Sequence, residues 1–221
     1  NNEFDIAFQD SDNDLNYLSN KGNLYWKKKL SGKIIGDIKQ VDIYKNGRQQ
    51  MIFRTNENLY LLDRNGNEVN QLSFPINSNS SNLPISVFDY EKNRNYRFLI
   101  TVDNKINMYD SNGKIVNGFK PPLFESKIIT SPVHIRIDGK DYIVIQLEDG
   151  SLKILDRRGR DRIIVDNKIQ YSGNTIFSYL EHFATTDKFG NLIKIDTKGN
   201  LIKENLNLSD ENSIDIVNNN L

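Results

Sequence analysis

The side chains best able to do chemistry in this sequence are carboxylates, and most of them stand in turns. Asp10, Asp12 and Asp14 occupy alternate positions of one acidic stretch, which is how calcium-binding loops present oxygen ligands. An EF-hand loop would need glycine at its sixth position and glutamate at its twelfth, but Leu15 and Lys21 stand there. Asp10, Asp12 and Asp14 are therefore a weak candidate metal site, and a plain acidic turn is the alternative.

Few residues are available to build a catalytic site. The chain of 221 residues has no cysteine, which excludes disulfides, thiolate metal ligands and a cysteine nucleophile. Its two histidines, His134 and His182, lie far apart and form no metal-binding motif. Glycoside hydrolysis needs two carboxyl groups that flank a sugar, and the sequence nominates no such pair. We expect no enzyme activity, no catalytic residue and no cofactor.

Basic residues form two clusters that could contact nucleic acid or phosphate. The first is residues 27–29, directly after an aromatic pair, and the second comprises Arg157, Arg158, Arg160 and Arg162. The whole chain is neutral, however, with 29 basic and 29 acidic residues. Because no net field draws the protein to nucleic acid or to an anionic membrane, solvated strands and turns are the favoured interpretation, and no nucleic-acid partner is predicted.

A repeat accounts for the elements that carry these residues. Residues 59–69 are one copy of this repeat, and the five copies have turn glycines at Gly22, Gly66, Gly113, Gly159 and Gly199, spaced by 44, 47, 46 and 40 residues. Each copy consists of an alternating strand, a polar turn whose glycine can take the left-handed conformation, and a second strand, which is a β-hairpin. An aspartate heads the turn in four copies. We interpret these aspartates and glycines as turn-forming residues.

The remaining strands complete larger units. Residues 39–44 and 50–54 alternate on either side of an Asn-Gly turn and precede a repeat hairpin, so a full unit has four strands. The opening unit has only three, beginning with residues 4–8. Residues 213–217 are typical of a first strand, and pairing with those three strands would close a ring without open edges. We predict one all-β domain over residues 1–221, a β-propeller of about five four-stranded blades.

The segments between units are irregular, and one of them is stiff and apolar. Phe119, Pro121, Pro122 and Phe124 lie in this segment, which should present apolar groups on one face of the molecule together with the other inter-unit loops. These four residues are therefore the predicted partner-binding residues. Packing over the end of a unit is the other interpretation.

The repeat resembles the blade motif of the quinoprotein-like (PQQ-type) β-propellers. The resemblance rests on Ser131, Pro132 and Val133, followed by a strand and by residues 149–159, and on Trp26, which lies four residues after Gly22. The other copies carry no tryptophan, and other propeller families, WD40-like ones included, also use Asp-x-x-Gly turns. Enzymes of the quinoprotein family hold a quinone and a calcium ion beside a catalytic aspartate, and no matching ligand cluster is visible here. The resemblance implies the non-enzymatic scaffold branch, which is found in the bacterial cell envelope.

These observations together predict a non-catalytic scaffold module that binds a protein partner through its inter-blade loops. The sequence has no initiating methionine, no signal-peptide pattern and no apolar run of about 18 residues. We therefore expect a segment of a longer or processed protein, without membrane insertion. We also expect a monomer, and the resemblance to envelope scaffold propellers implies a location in the periplasm or cell envelope. A carbohydrate-binding or glycoside-cleaving propeller is the alternative.

Overall fold

The computed structural model describes residues 4–76, 82–209 and 212–214, and their regular secondary structure is almost entirely antiparallel β-sheet. The first sheet contains β1 (Ile6–Gln9), β2 (Asp14–Leu18) and β3 (Leu24–Lys29). The second contains β4 (Ile35–Val41), β5 (Gln50–Arg54), β6 (Asn58–Leu62) and β7 (Phe74–Pro75). The third contains β8 (Ser86–Phe88), β9 (Arg97–Val102) and β10 (Lys105–Tyr109). A short 3-10 helix, Asn70–Leu72, precedes β7.

Two further sheets follow in the second half of the chain. The fourth contains β11 (Val133–Ile137), β12 (Lys140–Gln146), β13 (Leu152–Leu155) and β14 (Asp161–Ile163). The fifth contains β15 (Phe177–Tyr179), β16 (His182–Thr186), β17 (Asn191–Ile195) and β18 (Leu201–Asn205). Strands within each sheet are neighbours in chain order, as the repeat of hairpins predicts.

The predicted strand number is confirmed in four sheets and wrong in the third. The third sheet was expected to have four strands, but its fourth is reduced to a single bridge between Tyr109 and Ile115. Asn117 and Gly118 follow after one intervening valine, and Pro121 and Pro122 come shortly after them. Turn-forming residues weaken a strand and proline cannot donate to its ladder, which explains why pairing stops at Ile115.

The chain divides into two compact units, residues 1–103 with 107–116 and residues 104–106 with 117–221. In the first unit, β5 shows how the core forms. Met51 and Phe53 belong to a buried cluster with Leu15 of the first sheet, whereas Ile52 belongs to another with Phe98 of the third sheet. Successive side chains of a strand point to opposite faces, so the second sheet is buried on both sides.

The second unit has its own core between the fourth and fifth sheets. Val144 and Ile154 of the fourth sheet share a buried cluster with Phe183 and Ile193 of the fifth. Tyr142 adds an edge-on aromatic contact with Phe183, with ring centroids 5.0 Å apart. Each unit therefore buries apolar residues from neighbouring sheets, and the prediction that all 221 residues form one domain stays a prediction.

The predicted closing strand falls mainly outside the described residues. Residues 215–217 lie there, and residues 213 and 214 are described without strand pairing. Just before them, the side chain of Asn212 is held in the second unit, because its Oδ1 accepts hydrogen bonds from Asn174 Nδ2 at 2.7 Å and from Thr186 Oγ1 at 2.9 Å. Closure by residues 213–217 stays a prediction.

Candidate functional site

The repeated aspartates form the turns that the sequence predicts. In the last repeat, Asp196 Oδ1 accepts hydrogen bonds from the amides of Lys198 at 2.8 Å and Asn200 at 2.9 Å, while the Asp196 carbonyl accepts one from Gly199 at 3.1 Å. The hydrogen bonds from the side chain and amide of Asn200 lower the pKa of Asp196. The same bonds recur at Asp63, Asp110, Asp156 and Asp187. The interpretation of these residues as turn-forming is confirmed.

The candidate calcium segment is another turn of this kind. Asp10 Oδ1 accepts hydrogen bonds from the amides of Asp12 at 3.1 Å and Asp14 at 2.9 Å. Its Oδ2 accepts from Asn16 Nδ2 and from Lys27 Nζ, both at 3.1 Å. These hydrogen bonds, that of the Asp14 amide first, hold the pKa of Asp10 far below its usual range. Lys27 also pairs with Asp14 at 2.9 Å, so the geometry favours the acidic-turn interpretation.

Both basic clusters pair with carboxylates near them. In the first, Lys28 Nζ lies 3.0 Å from Glu68 Oε1, in addition to the two contacts of Lys27. In the second, Arg160 binds Asp156 Oδ2 with two nitrogens, at 2.9 and 2.7 Å. These pairs support solvated strands and turns rather than a nucleic-acid interface.

A cationic cluster around Asp141 was not predicted. Asp141 is 5% exposed, and its carboxylate contacts His134 Nε2 at 2.7 Å, Arg136 Nε at 3.8 Å and the guanidinium of Arg157. Arg162 donates to the Asp141 carbonyl at 2.9 Å. The hairpin sequence could have predicted part of this cluster, because Arg136 pairs with Asp141 across the two strands and both side chains lie on one face. His134 thus has a structural partner.

The other histidine takes part in a hairpin turn. His182 Nδ1 lies 2.6 Å from the carbonyl oxygen of Leu180. Leu180 and Glu181 both have positive φ, 45° and 62°, which fits the left-handed two-residue turn of a hairpin. In the part of the chain that the structure describes, no three His, Asp or Glu side chains are grouped so that they could hold a metal ion.

A second missed feature is a hydroxyl pair that recurs in both units. Ser31 Oγ lies 2.9 Å from Thr55 Oγ1, and Ser172 Oγ lies 2.6 Å from Thr186 Oγ1. Both threonines are fully buried near the end of a sheet's second strand. The pairs satisfy polar groups that would otherwise be costly to bury. The repeated Ser-Gly dipeptides that supply the serines were the available sequence signal.

Two of the turn glycines also leave space for a residue that follows the preceding repeat turn and packs closely against them. A Cβ on Gly66 would lie 2.8 Å from the ring of Trp26, whose Nε1 donates to the Arg64 carbonyl at 2.9 Å. A Cβ on Gly159 would lie 2.5 Å from the backbone nitrogen of Pro121. Pro121 therefore packs against the turn glycine that follows the third strand of the fourth sheet, as Trp26 packs against the corresponding glycine of the second sheet.

The expected docking segment consequently divides into buried and exposed residues. Phe119 is 7% and Phe124 is 3% exposed, so both rings are buried in the structure, and their contact with a partner stays a prediction. The flanking backbone is held as well, because the Lys120 amide donates to the Arg158 carbonyl at 2.8 Å and the Phe124 amide to the Asn104 carbonyl at 3.1 Å. The two phenylalanines pack because their apolar surface gains more from burial than from exposure.

The exposed part of the segment is Pro122 and Leu123, which we call the 122–123 tip. Leu123 is 75% exposed and Pro122 is exposed as well, whereas Pro121 is half-buried. An apolar tip between two buried anchors is a rigid feature that a partner surface can contact. Of the four predicted partner-binding residues, Pro122 is the one that is exposed, and its neighbour Leu123 is exposed as well.

Comparison with solved structures gives the class of fold. The chain is similar to BBS1N in its complex with ARL6DN (TM-score 0.63, 13% identity, 92% of this chain and 62% of that chain). It is similar to BamB from Moraxella catarrhalis (TM-score 0.53, 17% identity, 91% and 65%) and to the computationally designed Ika8 protein (TM-score 0.57, 12% identity, 89% and 57%). BBS1N and BamB are β-propellers, and BamB belongs to the PQQ-like group. The chain thus has an all-β fold of the propeller type.

The likeness is confined to structure. No family model and no curated protein matches the sequence. The chain spans less than two thirds of the length of the solved structures named above. Among the described residues, no helix has the length and apolar character required to cross a membrane.

Proposed function

We propose that this chain is a non-catalytic interaction module that binds a protein partner through the 122–123 tip. The observation that carries the proposal is the 75% exposure of Leu123 on a segment whose neighbours Phe119 and Phe124 are buried. Transfer of the Leu123 side chain from water into an apolar pocket of a partner would be favourable.

The anchoring of the tip favours binding. Residues on either side are fixed by backbone hydrogen bonds from Lys120 and Phe124, and the fixed φ of Pro121 and Pro122 limits the motion of the chain between them. A segment ordered before binding loses little conformational entropy when a partner docks. Leu123 is thus the central contact of the proposed interface, and Phe119 and Phe124 are positioning residues.

The fold comparisons support this class of function. One similar structure is a complex of BBS1N with ARL6DN, and propellers that serve as scaffolds present partner-binding loops on a rigid sheet framework. We further propose a periplasmic or cell-envelope location, a monomeric state, and closure of about five blades by residues 213–217. The resemblance of the repeat to envelope scaffold propellers motivates the location.

The proposal predicts a selective effect of Leu123 on partner capture. Leu123→Lys should reduce recovery of the partner at least tenfold in affinity capture from cells of the source organism, followed by quantitative mass spectrometry. Ile164→Lys is the matched control, because Ile164 is 74% exposed elsewhere in the same unit. Both variants should keep the melting temperature of the parent. Equal capture by the parent and Leu123→Lys would overturn the proposed function.

Carbohydrate binding remains a second candidate because of a groove in the first unit. The groove has a volume of about 1030 Å³, and its lining includes the aromatic residues Phe8 and Tyr17 and the amides Gln40 and Gln49. Aromatic faces and amide groups are suited to sugar rings and hydroxyls. A specific signal on a glycan array that is lost in Phe8→Ala would favour this candidate over the protein-binding module.

A further inference from the structure

A pocket in the first unit lies between the second and third sheets and is lined by apolar and polar groups in similar measure. Its volume is about 450 Å³, within the range of pockets that accept a small ligand or a large side chain. We call it the Tyr109 pocket. Its lining includes Phe74, Ile76, Ile100, Asn107, Tyr109 and Ile115.

The pocket exists because the third sheet stops short. Its fourth strand is the single Tyr109–Ile115 bridge, whereas β18 of the fifth sheet continues from Leu201 to Asn205 along the whole of β17. By their positions in the repeat, Asn107 and Tyr109 correspond to Ile193 and Ile195 of β17. Those two isoleucines are fully buried in the core of the second unit.

Asn107 and Tyr109 introduce polar groups at these otherwise apolar positions. Within residues 4–76, 82–209 and 212–214, neither the Asn107 carboxamide nor the Tyr109 hydroxyl has a hydrogen-bond partner, and both residues are half-buried. Burial raises the pKa of Tyr109, so its hydroxyl stays protonated and can donate. The Phe74 ring contacts the Tyr109 ring with centroids 5.2 Å apart. The pocket therefore combines an aromatic wall with two unused hydrogen-bonding groups.

We propose that the Tyr109 pocket binds a tyrosine or tryptophan side chain of a protein partner. An aliphatic side chain would cover Asn107 and Tyr109 without replacing the water that hydrogen-bonds to them, which is unfavourable. Tyrosine and tryptophan place a hydroxyl or an indole N–H on an apolar aromatic body. The proposal rests on the proposed protein-binding function and assigns one chemical feature to the partner.

A pair of probes that differ by one hydroxyl tests this assignment directly. N-acetyltyrosinamide and N-acetylphenylalaninamide are titrated into the protein and followed by the NMR resonances of Phe74, Tyr109 and Ile115. We expect the tyrosine probe to shift these resonances and to bind at least tenfold more tightly than the phenylalanine probe. Asn107→Leu should remove most of that preference, because the carboxamide that pairs with the hydroxyl is gone.

A blocking variant controls for binding elsewhere. Ile115→Trp should fill the pocket and abolish the shifts, and it should fold because Ile115 is 59% exposed. Ile164→Trp, at an exposed position of the second unit, should leave binding unchanged. The proposal is overturned if the probes bind equally, if no resonance of the pocket shifts, or if Ile115→Trp still binds. These results are independent of partner capture at Leu123, so failure here leaves the proposed function standing.

Discussion

Glycine at the repeat turn has two separable roles, left-handed backbone and close approach. Gly22 and Gly66 have nearly the same φ, 80° and 79°, but a Cβ meets no atom within 4 Å at Gly22 and the Trp26 ring at 2.8 Å at Gly66. Gly22→Ala should therefore lower stability by about 1 kcal/mol through backbone strain. Gly66→Ala should cost about 1–3 kcal/mol more, because Trp26 must move. Chemical denaturation of both variants measures the difference, and equal losses would contradict the packing role.

The turn aspartates predict how stability depends on pH. Burial of the Asp187 carboxyl acts to raise its pKa, but hydrogen bonds from the side chain and amide of Asn191 outweigh burial and lower it. A group with a lowered folded pKa stabilises the protein above its unfolded pKa of about 4, and that stability is lost as the pH falls through the folded value. We expect the melting temperature to fall as the pH drops below about 4.

Substitution of Asp187 isolates this effect. Asp187→Asn should reduce stability at pH 7 by about 1–3 kcal/mol, because a buried acceptor of charge-assisted hydrogen bonds is weakened. Asp187→Asn should also reduce the loss of melting temperature that the parent protein shows as the pH falls below about 4. Asp138→Asn, at an exposed hairpin tip, should leave both unchanged. If Asp187→Asn follows the parent profile at every pH, the turn carboxylates do not control acid stability.

Local chemistry explains which residues the sequence could predict. The Asp-x-x-Gly turn forms within five residues, so its hydrogen bonds follow from spacing alone. The burial of Phe119 depends on tertiary packing, which no single-sequence pattern specifies, and so the 119–124 segment was assigned to solvent. His134 and Arg136 lie in the same hairpin as Asp141, whereas Arg157 comes from the turn after the next strand, and the Asp141 cluster was missed because it combines both.

At the scale of elements, the 119–124 segment behaves as an anchored loop. Phe124→Ala should destabilise the protein by about 3–5 kcal/mol, the usual cost of removing a buried aromatic ring. Leu123→Ala should change stability by less than about 0.5 kcal/mol, because its side chain is in solvent. Thermal and urea unfolding provide the comparison. A large loss in Leu123→Ala together with a neutral Phe124→Ala would reverse the assignment of anchor and tip.

The strands could be predicted from the sequence where apolar and polar residues alternate next to a strongly turn-forming dipeptide. The Asp138-Gly139 turn joins strands that pair as the alternation predicts. The strand expected over residues 39–44 ends instead at Val41, which pairs with Gln50, so a longer loop replaces the two-residue Asn46-Gly47 turn. The third sheet departs from the pattern at Ile115, where alternation continues for too few residues to support a strand. The Tyr109 pocket results from the missing fourth strand, so a sequence prediction that assumes a uniform repeat does not include it.

At the scale of the whole molecule, β1 is an edge strand of the N-terminal sheet among the described residues. β1 pairs with β2 alone, and Phe4, Ile6 and Phe8 are exposed by 77%, 50% and 46%. If residues 213–217 complete this sheet, deletion of residues 213–221 should lower the melting temperature and promote aggregation through the open edge. Size-exclusion chromatography and thermal unfolding test this, and a truncated protein that stays monomeric with an unchanged melting temperature would refute closure.

The central claim is that the 122–123 tip contacts a protein partner, and site-specific photo-crosslinking tests it most directly. A photoreactive amino acid is placed at position 123 in the full natural protein, and at position 164 as the control with matched exposure. After irradiation of cells of the source organism, position 123 should yield one dominant covalent adduct with a protein, and position 164 should not. The same adduct pattern from both positions, or no protein adduct at position 123, would contradict the account.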